Sequence, residues 1–146
     1  MFRWLWRIFC AILEKKVAKF CAGRSAQTND QFLIGCGLPP DSETARIAIA
    51  VRRAVANVGT VDPLYIRPDD VYPDQLAVLP LWCSMDWIVY IMELEDQLDA
   101  SFSNEELERV FKTTKTTKTT RVSVKEMVES VQRVLASRAS AERKDC

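Results

Sequence analysis

Four prolines within a stretch of twenty-four residues constrain the fold more than any other feature of this sequence. Pro63, Pro68, Pro73 and Pro80 lie in residues 60–83, where each removes a backbone donor and restricts the residue before it. No long helix or strand can run through this segment. Because it is also rich in apolar side chains, we expect an ordered loop that folds back across a hydrophobic core. Those side chains are Leu64, Ile66, Leu76, Val78, Leu79, Leu81 and Trp82.

The sequence on either side of this loop has the periodicity of amphipathic helices, with apolar residues at every third or fourth position. Two serine–glutamate capping boxes, Ser103–Glu106 and Ser123–Glu126, mark helix starts, because each pair satisfies free backbone amides reciprocally. The predicted helices cover residues 42–59 (capped by Asp41 or Ser42), 84–98, 103–111 and 123–135. The predicted fold class is all-α: one four-helix domain at residues 41–137, with the long loop between its first and second helices.

A separate basic amphipathic helix is predicted at residues 1–24, where six basic residues accompany a single acidic one. The charges interrupt the apolar run, which falls short of the ~20 apolar residues that span a bilayer and does not match a secretory signal. We expect a cytoplasmic protein. Residues 1–20 would either contact the inner face of the membrane peripherally or dock against their own domain or a second copy of the chain, and the sequence leaves both open. Residues 25–40 are interpreted as a linker, and residues 138–146 as a C-terminal tail.

Charge and composition narrow the functional classes. Basic and acidic residues number twenty each, but the stretch from Asp69 to Glu108 holds eleven acidic residues and no basic one. Such an acidic centre would repel phosphates, so we do not expect nucleic-acid binding. The chain has no histidine, the commonest general base and metal ligand, and its five cysteines form no CxxC pair. We therefore expect neither an enzyme nor a metal site.

The stretch CSMDWIVYIMELEDQLDASFSNEELERV, residues 83–110, resembles the central region of acyl carrier proteins. That family has the pattern Asp-Ser-Leu-Asp, then an apolar and acidic helix, then a short acidic helix, and the register holds here without a gap. VSVKEMVESVQRVL, residues 122–135, is similar to the family's final helix. Two positions depart from the pattern: Cys83 stands where the family has aspartate, and Val89 replaces an acidic surface residue.

The resemblance implies a non-catalytic, acyl-carrier-like bundle. It places 4′-phosphopantetheine on Ser84, where a phosphopantetheinyl transferase would attach it without any metal held by the carrier. Acyl-handling enzymes, such as those of fatty acid biosynthesis, would dock through basic patches. The partner-binding residues that it implies are Met85, Asp86, Ile88, Met92, Glu95 and Asp96. Because Cys83 alters the motif, an unmodified adaptor of the same fold, contacting proteins or a membrane surface, stays open as the alternative.

Overall fold

The computed structural model of the chain describes residues 2–80, 82, 87–115 and 121–145. Within these ranges the protein is mostly helical, which confirms the all-α class. The six α-helices there are α1 (Phe2–Cys21), α2 (Asn29–Cys36), α3 (Glu43–Gly59), α4 (Trp87–Leu98), α5 (Asn104–Lys115) and α6 (Val124–Lys144). Two 3₁₀ turns cover Pro63–Tyr65 and Leu76–Val78. Strands β1 (Val71–Tyr72) and β2 (Val122–Ser123) pair antiparallel, with Val71 opposite Ser123.

Helix α3 lies at the centre of the core and packs against α2, α4 and α6, while α5 packs against α6. Small and β-branched residues fill its buried positions, which lets the neighbouring helices approach closely. Ser42 caps its start by accepting a hydrogen bond from the Ala45 amide at 3.1 Å. Its last residue, Gly59, lies so close to the loop that a Cβ there would be 2.6 Å from Leu79 Cδ1. The fully buried side chains of α3 include Ala48, Val51, Ala54 and Val55.

The proline-rich loop packs on the core, as the sequence predicts. Four of its seven apolar residues, Ile66, Leu76, Leu79 and Trp82, are buried. Trp82 also donates from Nε1 to the carbonyl of Val55 in α3 at 3.0 Å, which satisfies the polar end of a buried indole. The exceptions are Leu64, which is exposed, Val78, which is half-buried, and Leu81, which lies outside the described residues.

The interpretation of residues 25–40 as a linker missed helix α2. Thr28 and Gln31 form a capping box at its start, and Gly37 ends it in the left-handed conformation with φ of 75°. Phe32, Leu33 and Cys36 are buried. These apolar residues recur at helical spacing within a stretch of Gly, Ser and Asn, whose composition concealed the helix. How the whole chain divides into domains stays a prediction.

A buried arginine holds α2 and the long loop to α3. Arg52 is 0% exposed, and its guanidinium reaches backbone carbonyls on both segments. On the loop it donates to the carbonyls of Ile66 and Leu64 at 3.1 Å each. On the segment entering α2 it donates to the Gln27 carbonyl at 2.9 Å and to Asn29 Oδ1 at 3.0 Å. Burial lowers the pKa of Arg52, an effect that the carboxylate of Asp62 opposes.

A second long-range pair lies beside this arrangement. Arg24 Nη1 lies 2.7 and 2.9 Å from the two carboxylate oxygens of Asp70, and Asp70 is buried. The same guanidinium stacks over the ring of Phe20 at 3.9 Å from the ring centre. Desolvation raises the pKa of the Asp70 carboxyl, whereas the Arg67 amide and Arg24 lower it. The pair therefore ties the end of α1 to the loop.

Two predicted helix ends were wrong. The third helix predicted for the domain, which is α5, continues to Lys115 instead of ending at Phe111. Helix α6 continues to Lys144, through most of the predicted tail. Within that extension, Arg138 donates to both carboxylate oxygens of Glu106 at 2.7 and 2.9 Å and to the carbonyl of Ser101 at 2.8 Å. These bonds across to α5 explain why the helix does not end earlier. Both predicted capping boxes, at Ser103 and at Ser123, are formed.

Candidate functional site

The candidate modification segment is residues 83–86, between the long loop and α4. Ser84, Met85 and Asp86, together with Cys83, lie outside the described residues. The residues on either side of the segment pack against each other: the rings of Trp82 and Trp87 meet edge to face with centres 5.7 Å apart. Tyr72 and Tyr90 join them, each with its ring centre 5.8 to 5.9 Å from both tryptophans. This aromatic cluster fixes both ends of the segment, and the sequence pattern did not predict it.

The inner face of α4 attaches this site to the core. Tyr90, Ile91 and Leu94 are buried, and α4 packs most extensively against α3. The hydroxyl of Tyr90 has no hydrogen-bond partner within the described part of the chain. Burial raises its pKa well above the usual range, because the charged phenolate would be desolvated there.

The outer face of α4 combines apolar and acidic side chains in solvent. Ile88 is 72% exposed and Met92 is 62% exposed, and they lie four residues apart, one turn along the same face. Asp96 continues this face and is exposed, whereas Glu95 is half-buried. The structure thus brings together four of the six predicted partner-binding residues, and the other two, Met85 and Asp86, lie outside the described residues.

Two glutamates of α4 also make structural hydrogen bonds. Glu95 Oε1 accepts from the backbone amide of Phe102 at 2.8 Å, which steadies the turn between α4 and α5. Glu93 Oε2 accepts from Asn57 Nδ2 on α3 at 2.9 Å. Asp96 is therefore the exposed carboxylate of this face, and Glu95 contributes charge from a fixed position.

Helix α1 forms a second exposed surface, far along the chain from Ser84. Only Phe20 is buried in its twenty residues, although apolar residues recur along the helix at intervals of three and four. Across the described residues no helix is long and apolar enough to cross a membrane. The same residues contain no cluster of three or more His, Cys, Asp or Glu side chains that could hold a metal ion.

Comparison of the chain with models of protein families, with curated proteins and with solved structures finds no match.

Proposed function

We propose that this protein is an acyl-carrier-like protein. It would hold acyl or related thioester intermediates on a 4′-phosphopantetheine arm at Ser84 and present them to partner enzymes. The observation that carries the proposal is the outer face of α4, where exposed Ile88 and Met92 lie beside the exposed carboxylate of Asp96. This helix begins at Trp87, three positions after the serine of the resembling motif.

The order of elements also supports this proposal. A helix, a folded loop, a second helix, a third helix and a final helix follow one another as α3, the described loop residues 60–80 and 82, α4, α5 and α6. α3 packs against both α4 and α6, and α5 packs against α6. A carrier needs such a rigid body beneath its attachment point, because its partners recognise a fixed surface while the arm moves.

Attachment of the arm requires little of the carrier itself. The Ser84 oxygen would form a phosphodiester with the pantetheine phosphate of coenzyme A, and adenosine 3′,5′-bisphosphate would leave. A separate transferase would activate the hydroxyl with its own magnesium, so a chain without histidine suffices. The thiol of the arm would then carry the acyl group, and this protein would supply delivery and recognition.

Docking would combine electrostatic attraction with a small apolar contact. Asp96 and Glu95 would meet basic residues of the partner, which raises the rate of encounter and makes it sensitive to salt. Ile88 and Met92 would then insert into a shallow apolar site, where the flexible thioether of methionine adapts to different partners. Fast and weak binding of this kind suits a carrier that visits several enzymes in turn.

Intact mass spectrometry tests the attachment directly. Incubation with coenzyme A and a phosphopantetheinyl transferase of broad specificity is expected to add about 340 Da, the mass of the arm. Ser84→Ala should abolish the addition, whereas Ser101→Ala, a change at an exposed serine beyond α4, should leave it intact. No added mass with several transferases would reject the carrier and favour the unmodified adaptor.

The rate of modification can also be compared between variants at Cys83, the position where this chain differs from the family pattern. Because the family has aspartate at this position, Cys83→Asp is expected to raise the rate of modification. A matched change on the docking face, Ile88→Ala with Met92→Ala, should lower that rate, whereas Ile34→Ala on α2, which removes an equally exposed apolar side chain, should not. Equal rates for all of these variants would show that the transferase does not recognise this surface.

A further inference from the structure

The first part of α1 carries most of the exposed apolar side chains in the described part of the chain. Seven of the eleven large hydrophobic side chains exposed there lie between Phe2 and Ile12. Phe2 is 90% exposed, and Trp4 and Trp6 are 67% and 66% exposed. A soluble protein rarely leaves so large a contiguous apolar surface uncovered unless that surface binds something.

The protein covers only the far end of this helix. Phe20 is buried and Val17 packs against the core, where α1 contacts the Leu76–Val78 turn. Phe2, Phe9 and Phe20 follow one another at intervals of seven and eleven residues, so they share one face of the helix. Lys16 lies on the same face between Phe9 and Phe20, and from Phe9 towards the N-terminus the apolar stripe continues without a cover.

An open groove lies where the covered part of the stripe meets the uncovered part. Its volume is about 580 Å³, and its walls include Leu13 and Val17 of α1 and Tyr65 of the long loop. The apolar surface thus passes from the helix onto the body of the protein, with Glu14 and Thr60 as the polar side chains of the groove. An occupant of the helix face would also meet this groove.

The charges around the stripe determine what kind of occupant fits. Arg3 and Arg7 lie on one side of the stripe and Lys15 and Lys19 on the other, by their positions around the helix. Glu14 is the only acidic residue of α1. Pairing two copies through this face would bring like charges together, which disfavours a helical dimer. An anionic surface, in contrast, would attract both sides of the stripe at once.

We propose that α1 lies in the interface of a membrane containing anionic phospholipid, with the face around Phe2, Trp6 and Phe9 towards the acyl chains. Aromatic rings and cations both have favourable positions at this depth, the rings at the headgroup boundary and the cations beside lipid phosphates. The rest of the protein would stay in water, attached through the packed end of the helix at Phe20. This inference does not depend on attachment of phosphopantetheine to Ser84.

Co-sedimentation of the full chain with vesicles tests this placement. Vesicles of equal parts phosphatidylcholine and phosphatidylglycerol should bind the protein, and vesicles of phosphatidylcholine alone should bind it far more weakly. Raising the salt from about 0.1 M to about 0.5 M should weaken the binding, because screening shortens the reach of the charges. Failure to bind the anionic vesicles at low salt would overturn the proposal.

Matched variants separate the charged and apolar contributions. Arg3→Gln with Arg7→Gln should lower the partition coefficient by about 30-fold, since each cation near an anionic surface contributes to the binding. The control, Arg46→Gln with Arg53→Gln, removes two exposed arginines from α3 and should have little effect. Equal losses for the two pairs would show that net charge, and not α1, determines the binding.

A second comparison tests the apolar face. Trp6→Ala with Phe9→Ala should reduce binding by at least about tenfold through lost apolar burial, whereas Ile34→Ala should not. Brominated lipids should quench the wild-type tryptophan fluorescence strongly, and Trp4→Phe with Trp6→Phe should lose that quenching but still bind. The two tryptophans that remain belong to the body of the protein, where Trp82 is buried and Trp87 is half-buried against the core. Unchanged quenching in this variant would contradict the proposal.

Sedimentation velocity without lipid examines the competing occupant, a second copy of the chain. A monomer at concentrations where the vesicles bind it supports a free lipid-facing surface. If the wild type is an oligomer and the variant Trp6→Ala with Phe9→Ala is a monomer, another copy of the chain covers this face. That result would overturn the membrane assignment. Far-UV circular dichroism and urea unfolding of each variant check that the fold is retained.

Discussion

Replacement of Arg52 by methionine should destabilise this protein severely, although no carboxylate pairs with it among its described contacts. Methionine fills a similar volume and keeps the apolar stem, so the substitution removes mainly the guanidinium. Five hydrogen bonds depend on that group, to the carbonyls of residues 27, 28, 64 and 66 and to the side chain of Asn29. The substitution would therefore remove hydrogen bonds from two chain segments, the one that enters α2 and the long loop.

The size of the destabilisation depends on how many backbone carbonyls lose their hydrogen-bond donor. The Leu64 carbonyl keeps a hydrogen bond from the Gln27 amide and the Thr28 carbonyl keeps one from the Phe32 amide, so the main losses are at the carbonyls of Gln27 and Ile66. Each buried, unsatisfied acceptor costs about 1–3 kcal/mol, and removal of a desolvated charge returns part of that sum. We expect a net loss of about 3 kcal/mol in the free energy of unfolding.

Urea denaturation followed by far-UV circular dichroism measures this loss. With a slope of about 2 kcal/mol per molar urea, the midpoint should fall by about 1.5 M. Arg53→Met is the matched control: it changes the neighbouring arginine of the same helix, which is exposed, and should shift the free energy by about 0.5 kcal/mol or less. Arg52→Lys should lie between them, because one ammonium cannot replace the fork of donors.

Amide hydrogen exchange shows which segments of the protein the substitution loosens. Peptides covering residues 25–36 and 62–67 should exchange faster in Arg52→Met, since these segments lose their attachment to α3. If Arg52→Met were as stable as the wild type, or Arg53→Met as destabilised as Arg52→Met, the hydrogen bonds of Arg52 would not hold these segments in the way that the structure indicates.

Two further substitutions test packing and charge. Gly59→Ala should lower the free energy of unfolding by about 1–2 kcal/mol, because its new Cβ would lie 2.6 Å from Leu79 Cδ1; an increase in the urea midpoint would contradict this close approach. The hydrogen bond from Arg138 lowers the pKa of Glu106 to about 2, so its stabilising effect is present above the unfolded-state pKa, about 4.3, and is lost as the pH falls towards 2. Glu106→Gln should therefore be less stable than the wild type by at most about 1 kcal/mol at pH 7, with the difference shrinking between about pH 4.5 and pH 2; a difference independent of pH would show that the charge contributes nothing.

The elements that the sequence predicted depend on local signals. The capping boxes at Ser103 and Ser123 are formed because each requires only residues three positions apart. The first helix predicted after the linker, α3, begins after Ser42 and ends at Gly59 as expected. The loop packs on the core because four of its apolar side chains can be buried only there. The predicted end of α6 was wrong for a tertiary reason. Arg138 donates hydrogen bonds to Glu106 of α5, and these contacts hold the extended part of the helix.

The arrangement around the candidate site depends instead on distant residues, which no local pattern reveals. In the sequence, Arg52 is simply a charged residue on a helix. It is buried because backbone carbonyls of two other segments accept hydrogen bonds from its guanidinium. By holding Ile66, Arg52 fixes one part of the long loop, and the indole of Trp82 fixes another by bonding Val55. Since Trp82 directly precedes the segment that carries Ser84, α3 sets the position from which that segment begins. Loosening Arg52 should therefore disturb the candidate site through the loop, even though Arg52 lies far from Ser84 in sequence and contacts neither face of α4 among its described hydrogen bonds.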